Sequence, residues 1–219
     1  MTNQDSTVLN NNYVINPTLE TLNNINEEDA EQPALRVNSE DPAIWLNPTN
    51  PEESIVIGAL KNGDLATFNL QGEVEQVISA IELGDIGYKN IDIIYDFHLA
   101  SMIADEESKV DLAIASDRAN NTLAIFEISS DGQLNKLSTP QLDNPVTFGV
   151  DNVNEAIADG LATYTSSSGK SYVFVTQADG NKVAQIELIS RLGPADEQLI
   201  EAETVRTLEL PVLENQDVE

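Results

Sequence analysis

The stretch that decides the fold is VDLAIASDRANNTLAIFEISSDGQ, residues 110–133. Two apolar runs, residues 110–116 and 122–128, alternate with a period of two on either side of a polar Asp-Arg-Ala-Asn-Asn turn. Short alternating runs bounded by turn residues are typical of a β-hairpin, because successive side chains of a strand point to opposite faces of the sheet. The stretch therefore predicts two adjacent antiparallel strands.

The hairpin has a related copy on each side. Residues 54–74, SIVIGALKNGDLATFNLQGEV, and residues 171–189, SYVFVTQADGNKVAQIELI, repeat the order strand, turn, strand. The copies recur at roughly sixty residues, at or slightly above the spacing of propeller blades. Together with the flanking strands they predict an all-β chain of about twelve strands in three groups of four, the four-stranded antiparallel blades of a β-propeller.

Three blades do not close a ring. A closed propeller has about four blades or more, so about three blades predict an open arc with two unprotected edges, a partial propeller. Either the natural protein is longer than this chain or the open edges find a partner. We expect the hairpin of residues 110–133 to form the outer half of the middle blade.

The chain is strongly acidic. Its 219 residues include 38 acidic and 10 basic side chains, a formal net charge of −28. Such a surface repels nucleic acid and anionic membranes, and neither is expected as a partner. A polyanionic substrate would approach only with a cation between. Diffuse acidity is also a solvation device in saline surroundings, and that alternative stays open.

The residue types limit the chemistry. There is no cysteine, and His98 is the single histidine, expected in a polar loop over residues 98–109. Cys-His catalysis is excluded and a serine triad nearly so. No strand leads into a glycine-rich phosphate loop. The chain instead offers carboxylate and carbonyl oxygens, which are the ligands that calcium prefers.

The sequence divides into two regions. Residues 1–37 are polar with an acidic cluster, EEDAE, and are expected to be a mobile leader; residues 38–219 are the partial propeller. The first residues show no basic segment followed by a continuous apolar segment, so no signal peptide is visible.

Five segments, in this order and spacing, resemble the β-propeller phytases: SEDPAIWLNPTNPEES, KNGDLATFNLQGE, KNIDIIYDF, VDLAIASDRANNTLAIFEI and SSDGQL. The members of this family are calcium-dependent hydrolases of inositol hexakisphosphate. The resemblance runs from about Asn38 to Glu219 and corresponds to roughly the first half of the six-bladed family domain. It implies calcium ions on one propeller face, which bind the substrate phosphates and position a water or hydroxide for attack on phosphorus.

The resemblance also implies partners and a location. The substrate would be an inositol phosphate bound as its calcium salt, with Ca²⁺ as the cofactor. The rest of the propeller, or a second phytase domain, would be the macromolecular partner. The family implies an extracellular or periplasmic location.

The resemblance assigns candidate site residues but no catalytic residue. Lys61 occupies a phosphate-contacting position of the first hairpin turn. Glu40 and Asp41 stand where the family has paired calcium-binding acids, and Glu219 stands where its Glu-Gly-x-x-Ala-Asp-Asp segment begins. The full candidate set for metal binding is Glu40, Asp41, Asp159, Asp179 and Glu219.

Three departures from the family pattern leave the activity open. The family has arginine at Ile94, tyrosine at Asp159 and a Lys-Glu pair at Ala178 and Asp179. Losing the arginine and lysine removes phosphate contacts worth on the order of 1.5–3 kcal/mol each. The alternatives are a calcium-dependent phytase of which this chain is a part, a degenerate phytase-like propeller that binds calcium or phosphate as a helper domain, and a generic propeller scaffold for protein contacts.

Overall fold

The computed structural model describes residues 39–61, 63–79, 87–101, 108–118, 120–137, 146, 148 and 157–211. The expected leader and Glu219 lie outside these ranges. Within them twelve strands form three antiparallel four-stranded sheets, here called blades I, II and III in chain order. In each blade the strands are hydrogen-bonded in the order in which they follow one another along the chain, as the hairpin repeats predict.

The strand bounds are as follows. Blade I contains β1 (Ser39–Trp45), β2 (Ile55–Leu60), β3 (Leu65–Phe68) and β4 (Val74–Ile78), with a short 3-10 helix at Pro51–Glu53 between β1 and β2. Blade II contains β5 (Tyr88–Leu99), β6 (Ser108–Asp117), β7 (Thr122–Ile128) and β8 (Leu134–Lys136). Blade III contains β9 (Ala158–Thr165), β10 (Ser171–Gln177), β11 (Lys182–Leu192) and β12 (Gln198–Glu209).

Blade II lies between the other two. Its first strand, β5, packs against both β1 and β9, the first strands of blades I and III. The three sheets follow one another as an open propeller arc, so the predicted fold class is confirmed. No helix in the described ranges has the length and apolar character required to cross a membrane.

The hairpin of residues 110–133 occupies the middle of blade II. Its strands, β6 and β7, lie between β5 and β8, so the expectation that they form the outer half of the blade is wrong. The reason is visible in the sequence, because the runs LAIA and LAIF leave no polar face. A strand with two apolar faces is buried on both sides, and the middle strands of the middle blade are covered in this way.

The two faces of β6 contribute to two separate cores. On one face Leu112 and Ile114 join the core shared with blade III. On the other face Ala113 and Ala115 join the core shared with blade I, which also contains the large side chains of Trp45 and Phe126. All four β6 side chains are fully buried. Small residues on one face therefore make room for the aromatic side chains.

Aspartates join the first strands of neighbouring blades. Asp41 in β1 accepts a hydrogen bond from the backbone N–H of Ile91 in β5, at 2.9 Å. Asp92 in β5 accepts hydrogen bonds from the backbone N–H and the hydroxyl of Thr163 in β9, at 2.7 and 3.0 Å. Each carboxylate satisfies a backbone donor of the next blade, which the ladder of that blade leaves unpaired.

A second link joins blades I and II through Trp45. The indole Nε1–H of Trp45 donates to Asp111 Oδ2 in β6 at 2.7 Å, and the backbone N–H of Asp96 donates to Asp111 Oδ1 at 2.9 Å. Trp45 is only 2% exposed. Trp45 therefore packs between blades I and II.

His98 belongs to a strand. It pairs with Lys109 in the ladder between β5 and β6, so its expected place in a loop is wrong. The strand continues through Leu99 because Phe97 and Leu99 pack against the core shared with blade III. The His98 side chain is exposed, as the sequence predicts.

Replacing Asp111 tests the link between blades I and II. In Asp111→Ala the buried Trp45 N–H loses its acceptor, and we expect the free energy of unfolding to fall by about 1–3 kcal/mol. Urea denaturation followed by circular dichroism and by Trp45 fluorescence measures the change. The matched control is Asp131→Ala in the exposed turn between β7 and β8, which should behave like the unmodified chain. Equal stability of the two variants would contradict the assigned role of Asp111.

Candidate functional site

One edge of the arc gathers the predicted site residues. In each blade the first strand begins beside the end of the second strand, as the pairs Ser39 with Leu60, Tyr88 with Asp117, and Ala158 with Gln177 show. The starts of β1, β5 and β9, together with the turns between the second and third strands of each blade, form what we call the carboxylate rim. The other edge of the arc is the opposite rim.

Hydrogen bonds connect the carboxylate rim from blade to blade. The backbone N–H of Tyr88 donates to Gly63 O at 2.9 Å, and the backbone N–H of Arg118 donates to Gly87 O at 3.0 Å. The side chain of Asn121 then accepts from the N–H of Ala158 at 2.6 Å. The turns of blades I and II thereby hold the strand starts of blades II and III.

The predicted residues within the described ranges all lie at this rim. Glu40 and Asp41 begin β1, Asp159 is the second residue of β9, Lys61 follows β2, and Asp179 lies in the turn after β10. Lys61 and Asp179 are exposed. Asp179 has a φ of +52°, a left-handed turn conformation that aspartate tolerates.

The centre of the rim is a mixed-charge cluster from all three blades. Lys89 Nζ of blade II lies 3.7 Å from Glu40 Oε2 of blade I and 3.9 Å from Asp159 Oδ1 of blade III. Arg118 Nη1 lies 3.8 Å from the same Asp159 oxygen. These four side chains are about a quarter to a third exposed. The structure thus brings two predicted metal ligands, Glu40 and Asp159, to one ammonium group.

One oxygen of this cluster lacks a hydrogen bond. Asp159 Oδ1 is buried, and no hydrogen-bond donor reaches it within the described residues. Its two ion-pair partners lie beyond hydrogen-bond distance. A buried carboxylate oxygen without a hydrogen bond keeps lone pairs that a metal cation can occupy, in competition with Lys89 and Arg118.

Asp41 differs from its neighbour Glu40. Its Oδ2 accepts the N–H of Ile91, so one function of this carboxylate is to join blades I and II. A carboxylate offers about four lone-pair positions, so the hydrogen bond leaves capacity for a metal ion. Asp41 is half-buried, which is consistent with both functions.

The side chain at position 94 lies in the core and not at the carboxylate rim. Ile94 is 2% exposed and belongs to the core shared by blades II and III. The family arginine expected at this position would, on this backbone, enter an apolar core. Ala178 is half-buried, and its backbone N–H donates to Ile157 O at 2.8 Å. Neither position supplies a cation in this chain.

Sequence reasoning missed three residues of the rim. Lys89 and Arg118 were not assigned a role, and Asn121, whose amide holds Ala158 beside Asp159, was assigned only to a turn. Asn121 is 9% exposed and has a φ of +53°. Its position in an Asn-Asn turn is a usable signal, because asparagine tolerates this conformation and often bonds to backbone.

A cavity in the described part of the chain lies away from the carboxylate rim. A cavity of about 500 Å³ opens between β5 and β9 toward the opposite rim, and its lining includes Tyr95, His98 and Tyr164. None of the predicted ligands lines it. In the described ranges no group of three or more His, Cys, Asp or Glu side chains is arranged to hold a metal ion.

Comparisons with known proteins identify the relatives of the chain. A family model described as Phytase matches residues 9–212. A 3-phytase of Bacillus subtilis (strain 168) is 30% identical to the chain over 155 residues, which are 69% of this chain and 36% of that protein. The matched part of the chain therefore spans about a third of the length of that relative.

A charged side chain at position 94 tests whether this position belongs to the core. We expect Ile94→Arg to lower the free energy of unfolding by roughly 3–5 kcal/mol, because an unpaired guanidinium would enter the core between blades II and III. Ile94→Leu keeps the volume and should cost less than about 1.5 kcal/mol. Urea denaturation measures both. An Ile94→Arg variant as stable as Ile94→Leu would show that the side chain reaches solvent.

Proposed function

Since the chain belongs to the phytase family, we propose that it takes part in calcium-dependent hydrolysis of phosphate monoesters of myo-inositol hexakisphosphate, with the carboxylate rim as the site. One observation carries this proposal: Glu40 of blade I and Asp159 of blade III both lie within 4 Å of the same ammonium group, that of Lys89. A generic scaffold for protein contacts gives no reason for acids of separate blades to meet at one point.

The residues present suit a calcium ion in part. Glu40 and Asp159 would hold it, and the buried Asp159 Oδ1 without a hydrogen bond supports this choice. Asp41, the neighbour of Glu40 in β1, would be a further ligand. Calcium takes about six to eight oxygen ligands, so waters, substrate phosphate and further residues would complete the shell. When bound, calcium would supply positive charge for the substrate phosphates and lower the pKa of a coordinated water.

The residues of the chain have separate parts in this proposal. The carboxylates of Glu40 and Asp159 bind and orient the cation. Lys61, exposed at the turn after β2, adds a positive charge that a phosphate can contact. Asn121 holds the backbone beside Asp159 and so orients its carboxylate. Because the chain carries a net charge of −28, phosphate binding away from such a cation-filled site is unfavourable.

A helper domain is the second candidate function, and the burial of Ile94 favours it. A chain that lacks the family arginine at position 94 and the family lysine at position 178 has fewer groups to stabilise a phosphoryl transition state. Such a chain would bind calcium and inositol phosphate and deliver them to a complete domain. Binding without turnover distinguishes this function from hydrolysis.

Calcium is expected to stabilise the chain. Calcium at about one hundred times its Kd should raise the Tm by roughly 5–10 °C, because only the folded state holds the rim carboxylates together. Glu40→Gln and Asp159→Asn should reduce this shift. The matched controls are Glu52→Gln and Asp131→Asn at the opposite rim, which should keep it. Differential scanning calorimetry measures the shift. No shift for the unmodified chain would contradict the assignment of Glu40 and Asp159.

Phosphate release by the 219-residue chain is expected to be slight. Positions 94 and 178 provide no positive charge to stabilise the transition state of phosphoryl transfer. Turnover of inositol hexakisphosphate with calcium should therefore be near the background rate. A colorimetric assay for released phosphate measures it. Robust calcium-dependent turnover by the chain alone would contradict this expectation and would exclude the helper-only function.

A further inference from the structure

Two cations of the carboxylate rim have no assigned role. The chain has ten basic residues against 38 acidic ones, and Lys89 and Arg118 meet at a single carboxylate oxygen, Asp159 Oδ1. We propose that Lys89 and Arg118 form a phosphate-binding pair, which recognises the dianionic phosphate monoester group of the substrate. This inference rests on the proposed function, because it names the residues of the same rim that contact phosphate.

The ion pairs leave the donors of both side chains available. The three nitrogen-to-oxygen distances in these ion pairs are 3.7–3.9 Å. They exceed the N···O distance of a hydrogen bond, which is about 2.7–3.2 Å. Lysine has about three N–H donors and arginine about five. Within the described part of the chain, Lys89 and Arg118 are therefore held near the carboxylates by charge, and their N–H groups can still donate to a ligand. Both side chains are about a third exposed, so a ligand can reach them.

Hydrogen bonds anchor the backbone next to Lys89 and at Arg118. Lys89 follows Tyr88, whose N–H is bound to Gly63 O and whose ring packs edge-on against Phe126 at 5.9 Å between centroids. Arg118 is bound through its own N–H to Gly87 O. Both residues thus start from defined positions on the same rim. An anchored backbone reduces the conformational freedom that the pair loses when it binds an anion.

The charge balance favours phosphate as the ligand. Two carboxylates, Glu40 and Asp159, and two cations, Lys89 and Arg118, give the cluster a formal charge of zero in a chain of −28. A divalent cation held by Glu40 and Asp159 brings these four side chains to a charge of +2, or to +1 with the Asp41 carboxylate counted, and either charge attracts a phosphate monoester dianion. Arginine binds phosphate oxygens in a fork and lysine binds them as a point charge, so the pair provides both modes. Lys89 lies in the same strand as the buried Ile94, at the end of that strand that forms the carboxylate rim.

Calorimetric titration with inorganic phosphate tests the pair, in calcium kept below the solubility limit of its phosphate salt. We expect Lys89→Met and Arg118→Gln each to weaken phosphate binding by at least about tenfold, the loss of one charge-assisted contact. Lys89→Arg keeps the charge and should bind phosphate within a few-fold of the unmodified chain. The matched control is Lys170→Met, which removes an exposed lysine that pairs with Glu187 at the opposite rim. It should bind phosphate like the unmodified chain.

Calcium binding by Lys89→Met distinguishes a phosphate contact from a structural role. Removing the ammonium between Glu40 and Asp159 should leave calcium affinity equal or higher, because a competing positive charge is gone. Loss of both calcium and phosphate binding in this variant, or unfolding of Lys89→Met together with weak phosphate binding by Lys89→Arg, would overturn the inference.

The two proposals fail in different ways. If the unmodified chain binds no phosphate in calcium, both the proposed function and the phosphate-binding pair are wrong. If the unmodified chain binds phosphate and Lys89→Met and Arg118→Gln bind it equally well, only the pair is wrong. Weaker phosphate binding by both variants, with calcium binding retained, supports the pair.

Discussion

The structure depends on carboxylates that bind the backbone of the next blade. Asp41 holds Ile91, and Asp92 holds Thr163, so the first strands of three separate sheets are joined in series. Sheets that pack face to face share no ladder hydrogen bonds, and apolar contact alone does not fix how far one slides along another. These directional contacts fix that offset. The starts of β1, β5 and β9 consequently lie at one edge, and the charged side chains there can meet.

The rim that results is a balance of opposite charges. Acids of blades I and III would repel each other in a chain this acidic, and Lys89 and Arg118 between them remove that cost. A bound divalent cation could take over the same task, which would release the two basic side chains toward an anion. On the proposed function, the same side chains would couple the binding of two ligands of opposite charge.

Much of the fold was predictable because strand periodicity and turn residues are local signals. The three hairpins and the four-stranded blades follow from them, whereas Glu40 and Asp159 were named only through the family resemblance. Which face of the sheet each β5 side chain occupies was not predictable from the sequence. Its register shifts between Tyr88 and Ile91 and again between Ile94 and Phe97, and each bulge reverses the alternation that a sequence pattern assumes. For that reason position 94, where the family has its phosphate-contacting arginine, was expected at the phosphate site, whereas Ile94 lies in the core.

The two apolar faces of β6 change what specifies its alignment. In a sheet with one wet face, a slip of one residue exposes apolar side chains, and polarity forbids it. Here a slip would exchange Ala113 and Ala115 for Leu112 and Ile114, which are equally apolar. The penalty would come from size, because one core would be overfilled against Trp45 and the other left with voids. Register in the middle blade is therefore encoded in the volumes of alternate side chains, and an alanine there carries as much positional information as a charge does at a surface.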